Sequence, residues 1–225
     1  MTIADNLEAV NQRIARAARG AQRDPAGVSL VAVSKTHPAP VLMEALDAGV
    51  CDLGENRAQE LREKAGVIGD RATWHFIGHV QTNKVRHVVG VAALVHSVDR
   101  MSVAEAVARR AEALGVSQDV LIEVNVSGEA TKHGVAPEDT AAFASDVSAL
   151  DGVALRGLMT MPPWPHDPEQ SRPHYRRLAR LRDELVSVLP GAAELSMGMT
   201  RDFEVAIEEG ATIVRVGEAI FGPRR

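Results

Sequence analysis

Short apolar runs alternate with amphipathic stretches from one end of this chain to the other, and no other feature constrains its fold as strongly. The candidate strands are Val28–Val33, Cys51–Gly54, Thr73–Gly78, Ala92–Ser97, Val120–Val126, Leu155–Thr160, Glu194–Met197 and Thr212–Val216. Most are unbroken apolar runs bounded by turn or charged residues, the pattern of strands covered on both faces. Between them lie helix-like segments at Pro40–Ala48, Arg57–Val67, Gln81–Val88, Ser102–Leu114, Pro137–Ala149, Glu169–Val188 and Arg201–Glu209. In Ser102–Leu114 the apolar positions Val103, Ala106, Val107, Ala111 and Leu114 follow the helical period. A further amphipathic helix, Ile3 to Ala18, precedes the first strand.

Strand and helix recur at roughly 28 residues per unit, which favours a (β/α)8 TIM-type barrel with an extra N-terminal helix. At 225 residues the chain is short for that fold, so its loops must be short. A doubly wound open sheet satisfies the same alternation, because counting elements does not establish closure. No Gly-, Ser- or Pro-rich linker divides the chain and no internal repeat is visible, so a single domain over residues 1–225 is expected. Met161–Pro173, with Pro162, Pro163, Pro165, Pro168 and Pro173, reads as a βα loop on the barrel rim.

Composition removes whole classes of function. With 45% hydrophobic and 24% charged residues the chain is an ordinary globular protein, not a disordered or fibrous one. A net charge of −5 argues against a nucleic-acid partner, which calls for a basic excess. Cys51 is the one cysteine, so neither an internal disulfide nor a multi-thiolate metal site is available, and it is expected to be a small buried apolar residue. The start Met1-Thr2-Ile3-Ala4-Asp5 is unlike a signal peptide, and the apolar runs fall short of the roughly 20 residues that cross a bilayer. The expectation is a cytoplasmic protein with no membrane partner.

In a barrel the chemistry sits where the strands end. Lys35 follows Val28–Val33; such a lysine ordinarily marks the solvated end of a strand. Pointed into the barrel mouth, burial would favour its neutral form, the form that makes a Schiff base with an aldehyde. Ser196-Met197-Gly198-Met199-Thr200-Arg201-Asp202 joins a strand to a helix, and Arg215-Val216-Gly217-Glu218 follows the last strand. Each segment alone reads as a capped helix start or a glycine turn. Together, after consecutive strands, their hydroxyls, glycines and amides suit a phosphate. His75 and His79 stand four apart in what reads as strand, where they diverge, so no metal site is expected; His133, His166 and His174 read as solvated.

A Schiff-base lysine after the first strand and a phosphate cradle after the last two point to pyridoxal 5′-phosphate (PLP) in an alanine-racemase-like barrel. The motifs are Val31-Ala32-Val33-Ser34-Lys35-Thr36, Gly54-Glu55-Asn56-Arg57-Ala58-Gln59-Glu60, Trp74-His75-Phe76-Ile77-Gly78-His79-Val80-Gln81-Thr82-Asn83-Lys84, Gly157-Leu158-Met159-Thr160-Met161-Pro162-Pro163, Leu195–Asp202 and Arg215–Gly222. In order and over nearly the whole chain, they resemble the pyridoxal phosphate homeostasis protein family. The resemblance implies a PLP barrel of fold type III with Lys35 carrying the cofactor as an internal aldimine. It further implies that Ser196, Thr200, Gly217 and the Glu218 amide surround the phosphate and that Arg215 faces the pyridine nitrogen. Asn56 is implied near the ring and Met197 in the pocket wall. Thr200 stands where the family usually has serine, and Tyr175 where phenylalanine is common.

The expected function is therefore to bind PLP and to buffer or deliver it, with PLP-dependent apo-enzymes as recipients, in vitamin B6 homeostasis. The alternative is a PLP-dependent amino-acid racemase or a related PLP enzyme; a third is an aldolase-type barrel using Lys35 on a sugar phosphate. Two-base racemases of this fold add a C-terminal β domain and a partner-supplied tyrosine, whereas this sequence ends three residues after Gly222. No robust racemase activity and a monomer are expected.

Overall fold

The computed structural model describes residues 2–129 and 131–223; of the span expected as one domain, Met1, Ala130, Arg224 and Arg225 lie outside the described residues. Eight parallel strands are present: β1 (Ser29–Val33), β2 (Asp52–Glu55), β3 (Thr73–Phe76), β4 (Leu94–Val98), β5 (Gln118–Glu123), β6 (Val153–Met159), β7 (Glu194–Ser196) and β8 (Ile213–Val216). They pair in chain order, and β8 pairs with β1 through Ser29 opposite Ile213 and Val31 opposite Arg215. That last pairing closes the sheet into a barrel and excludes the open doubly wound alternative.

The helices are α1 (Ile3–Gly20), α2 (Ala39–Asp47), α3 (Ala58–Ile68), α4 (Met101–Leu114), α5 (Thr140–Ser148), α6 (Arg172–Val186), α7 (Phe203–Glu208) and α8 (Glu218–Phe221). Thr2 and Asp5 form a reciprocal capping box at the start of α1, satisfying two amides that the first turn leaves unbonded. Leu7, Val10, Ile14, Ala17 and Ala18 form its buried stripe. Asn6 Nδ2 donates to the Ile220 carbonyl at 2.9 Å and Arg23 Nη1 to the Ile207 carbonyl at 2.6 Å, docking this extra helix over α7 and α8.

Three expectations need correction. Residues Thr82–His87, expected as a helix, form a 3-10 stretch in which Val85 alone is buried, too little apolar surface to hold a full helical face. β6 begins at Val153, before the expected Leu155, because a bulge between Leu155 and Gly157 inserts Arg156 and resets the phase of the strand. Gly157 is required there, since a Cβ would sit 2.0 Å from the Glu194 carbonyl oxygen. Cys51 is exposed: it precedes β2 instead of lying in it.

Side chains alternate across a strand, so residues two apart share a face. Val31, Leu94, Leu121, Met159 and Ile213 form a small apolar cluster, the lower layer of the barrel interior. Two positions later on the same strands stand Val33, His96, Glu123 and Arg215, all buried. The layer facing the C-terminal mouth is thus mostly polar. Burying polar groups costs free energy unless they are hydrogen-bonded or paired, so their partners define the site.

Candidate functional site

Lys35 leaves β1 in a tight turn. The next residue, Thr36, has φ +68°, unusual for a β-branched side chain and a sign that surrounding structure holds the turn. The His37 amide donates to the Ser34 carbonyl at 3.1 Å. Beneath it lies a buried ion pair: Lys64 Nζ on α3 is 2.6 Å from Glu55 Oε2 at the end of β2 and also donates to the Ser34 carbonyl at 3.0 Å. Glu55 Oε1 accepts from the Asn56 amide at 2.8 Å. Two strand ends and one helix therefore fix the backbone on which Lys35 stands.

Beside β1, across the seam where the barrel closes, β7 and β8 supply the adjoining wall. Asp202, 1% exposed, accepts from the Met199 amide at 2.8 Å and from the Ser171 and Tyr175 hydroxyls at 2.7 Å each. This ties the segment carrying Thr200 to the start of α6. Burial, then the Asp202 charge, push the Tyr175 hydroxyl far above its ordinary value, so it stays a donor. Gly217 passes close to β1, where a Cβ would come 3.2 Å from Val33 Cβ.

These walls enclose a cleft of about 460 Å³ whose lining includes Lys35, Thr200, Arg215, Gly217 and Glu218, together with His37, Met199 and Trp164. Five of the eight expected site residues are thus brought together. Asn56 lines a neighbouring cleft of about 190 Å³ with His79 and Lys84. It is held there by the backbone approach of Gly78, at which a Cβ would lie 2.1 Å from the Asn56 carbonyl oxygen. Met197 is fully buried in the apolar core, and it is Met199 that reaches the cleft. Ser196 is fully buried, its hydroxyl held between Arg215 and His96.

Arg215 is the electrostatic centre of the site. It is 3% exposed and donates to the Ser196 hydroxyl at 2.5 Å and to the Thr160 carbonyl at 3.0 Å, both neutral acceptors. Burial pulls its guanidinium below its ordinary value, and Tyr175, Glu123 and Asp202 oppose that shift. A buried guanidinium bonded to neutral groups, at the edge of an open cleft, is suited to an anionic or acceptor-rich ligand.

Further residues around the mouth, Trp164 and His37 among those without an expected role, shape this site. Trp164, in the proline-rich rim loop, lines the cleft and lies under the Arg201 guanidinium, 4.9 Å from ring centroid to carbon. His37 stacks on Phe221 with centroids 4.7 Å apart. His79, Asp99 and His133 gather on the rim with ligand-type atoms within 4.8 Å of one another. Arg100 Nη1 lies 3.3 Å from His79 Nε2, while His79 Nδ1, buried without a hydrogen-bond partner, stands 3.3 Å from Asp99 Oδ2.

The model of the alanine racemase N-terminal domain family matches residues 6–225. The pyridoxal phosphate homeostasis protein of Aquifex aeolicus is 45% identical over 227 residues, covering 100% of both chains. That of Pseudomonas aeruginosa is 46% identical over 225 residues, covering 99% of this chain and 96% of its own. Among solved structures, PipY of Synechococcus elongatus with PLP bound superposes with a TM-score of 0.84 at 35% identity, covering 98% of this chain and 100% of that one. A closed barrel with this cleft at its mouth, and relatives matched over their full length, establish that the chain belongs to the pyridoxal phosphate homeostasis protein family, built on the alanine racemase N-terminal fold.

Proposed function

We propose that residues 1–225 act as one PLP-binding domain, a cytoplasmic monomer that holds PLP on Lys35 and buffers it or delivers it to PLP-dependent apo-enzymes. The observation that carries this reading is the convergence of Lys35, Arg215, Thr200, Gly217 and Glu218 on one cleft. Its volume of about 460 Å³ falls in the ordinary range for small-molecule sites. PLP supplies an aldehyde that condenses with a neutral amine, and Lys35 is the amine on that cleft. Thr200 and the backbone at Gly217 and Glu218 would take the phosphate, with Arg215 as donor to the pyridine nitrogen.

Arg215 also accounts for a carrier in place of a catalyst. PLP enzymes that stabilise carbanions commonly keep the ring nitrogen protonated with an acidic partner. A guanidinium has no acceptor, so a nitrogen facing it must be unprotonated and the ring withdraws electrons weakly. Titrating the protein with PLP while recording visible absorbance, then adding common amino acids, tests the reading. A stable band with negligible racemisation or transamination is expected. A protein that stays colourless overturns PLP binding, and robust turnover replaces the carrier by the racemase-type alternative.

A further inference from the structure

A chain of four hydrogen bonds crosses the barrel interior beneath the cleft. Arg215 Nη1 donates to Ser196 Oγ at 2.5 Å, and Ser196 Oγ lies 2.8 Å from His96 Nδ1. His96 Nε2 is 2.9 Å from His75 Nδ1, and His75 Nε2 is 3.2 Å from Asp52 Oδ1. Ser196 and His96 are fully buried and His75 nearly so, while the Asp52 side chain is 28% exposed. The chain runs from β8 through β7, across the lumen to β4, then to β3 and β2.

Its ends dictate where every proton sits. A guanidinium only donates, so Ser196 Oγ accepts from Arg215 and its single proton goes to His96 Nδ1, which must be bare. Burial holds His96 well below its ordinary value and the Arg215 charge acts in the same direction, so the ring is neutral and its proton is on Nε2. That N–H is donated to His75 Nδ1, and the His75 Nε2 proton faces Asp52, a carboxylate that only accepts. One polarity runs from Arg215 to Asp52 without a conflicting donor or acceptor.

We infer that Ser196 and His96 are positioning residues for Arg215, holding its guanidinium in one orientation at the cleft, and that Ser196 serves this role instead of binding phosphate. The Thr160 carbonyl pins the second terminal nitrogen at 3.0 Å. A guanidinium fixed at both ends presents its remaining donors to the cleft in one direction. The inference rests on the PLP reading of the cleft for its functional consequence, and on the hydrogen-bond chain alone for its geometry.

The test compares PLP with pyridoxal, which lacks the phosphate, on the full-length protein and three variants. Ser196→Ala and His96→Leu should speed loss of both ligands by a similar factor, about 10-fold or more, and shift the visible band of the bound cofactor. His96→Gln should restore retention and band, since an amide oxygen can accept from Ser196 while its N–H donates to His75. Ser196→Ala weakening PLP while sparing pyridoxal would make Ser196 a phosphate ligand and overturn the inference, as would Gln and Leu behaving alike. Independently of any ligand, nitrogen-15 NMR of the imidazoles should find His96 and His75 bare at Nδ1 and protonated at Nε2 at neutral pH; a protonated Nδ1 on either contradicts the relay. Wild-type protein that binds neither ligand would sink the PLP reading, leaving the NMR pattern to decide the relay.

Discussion

Glu123 shows how a single buried group writes a pH dependence into the whole barrel. It sits in the polar upper layer, 5% exposed, with its carboxyl pushed up to about 7 from the usual 4.5. Burial is the main cause and the Asp99 charge adds to it, while Arg215 and Lys132 pull the other way. Between pH 4.5 and 7 the folded protein holds a proton that the unfolded chain has released, so this group's contribution to stability falls as pH rises through that window. The penalty is complete above pH 7 and is on the order of 3 kcal/mol. Glu123→Gln should therefore raise the thermal midpoint at pH 8 and converge on wild type near pH 4.5. Parallel pH profiles for the two proteins would show that Glu123 is not a strained buried acid. At the same scale, on the proposed role of Thr200 toward the cofactor phosphate, Thr200→Ala would remove one hydroxyl donor to a charged group, worth about 1.5–3 kcal/mol. It should weaken PLP retention and leave pyridoxal retention unchanged, as equilibrium titration would show.

At the scale of elements, two buried polar clusters, one around Glu55 and Lys64 and one around Asp202, each fix the backbone of one wall of the cleft. Lys64→Met would leave Glu55 buried without its partner, a change that costs about 3–5 kcal/mol. It would also remove one of the two donors to the Ser34 carbonyl beside Lys35, leaving the His37 amide. Denaturant unfolding should show that loss together with weaker PLP retention; unchanged stability would mean the pair does not organise the β1 turn. Asp202→Ala would leave the Ser171 and Tyr175 hydroxyls and the Met199 amide without their acceptor, at about 1–3 kcal/mol each for those fully buried. Destabilisation and loosened PLP should appear together, and their separation would show that the β7–α7 segment holds its shape without Asp202. Lys35, Thr200, Arg215, Gly217 and Glu218 were legible in the sequence because each lies at or shortly after the C-terminal end of a strand, where a barrel places its chemistry. Asp202 and Tyr175 were not, since they meet only when α6 folds back on the β7–α7 segment. His96 was hidden for a different reason: in Ala92-Ala93-Leu94-Val95-His96-Ser97 both faces of the strand are covered, so composition does not reveal which side chains point inward.

For the whole molecule, the closed barrel turns eight short local signals into one site. Lys35 lies after β1 and Thr200 after β7, far apart in sequence. The pairing of β8 with β1 brings them to one cleft, with Gly217 against Val33 at the seam. Sequence alternation predicted the number and order of strands but not closure, because closure depends on register between the first and last strands and leaves no local mark. The central claim is that this seam presents Lys35, and no other lysine, to an aldehyde cofactor. Incubating the protein with PLP, reducing with borohydride and mapping the fixed adduct by mass spectrometry tests that claim most directly. The adduct should fall on Lys35 and vanish in Lys35→Ala; a wild-type adduct mainly on Lys64, Lys84 or Lys132, or none at all, would contradict it.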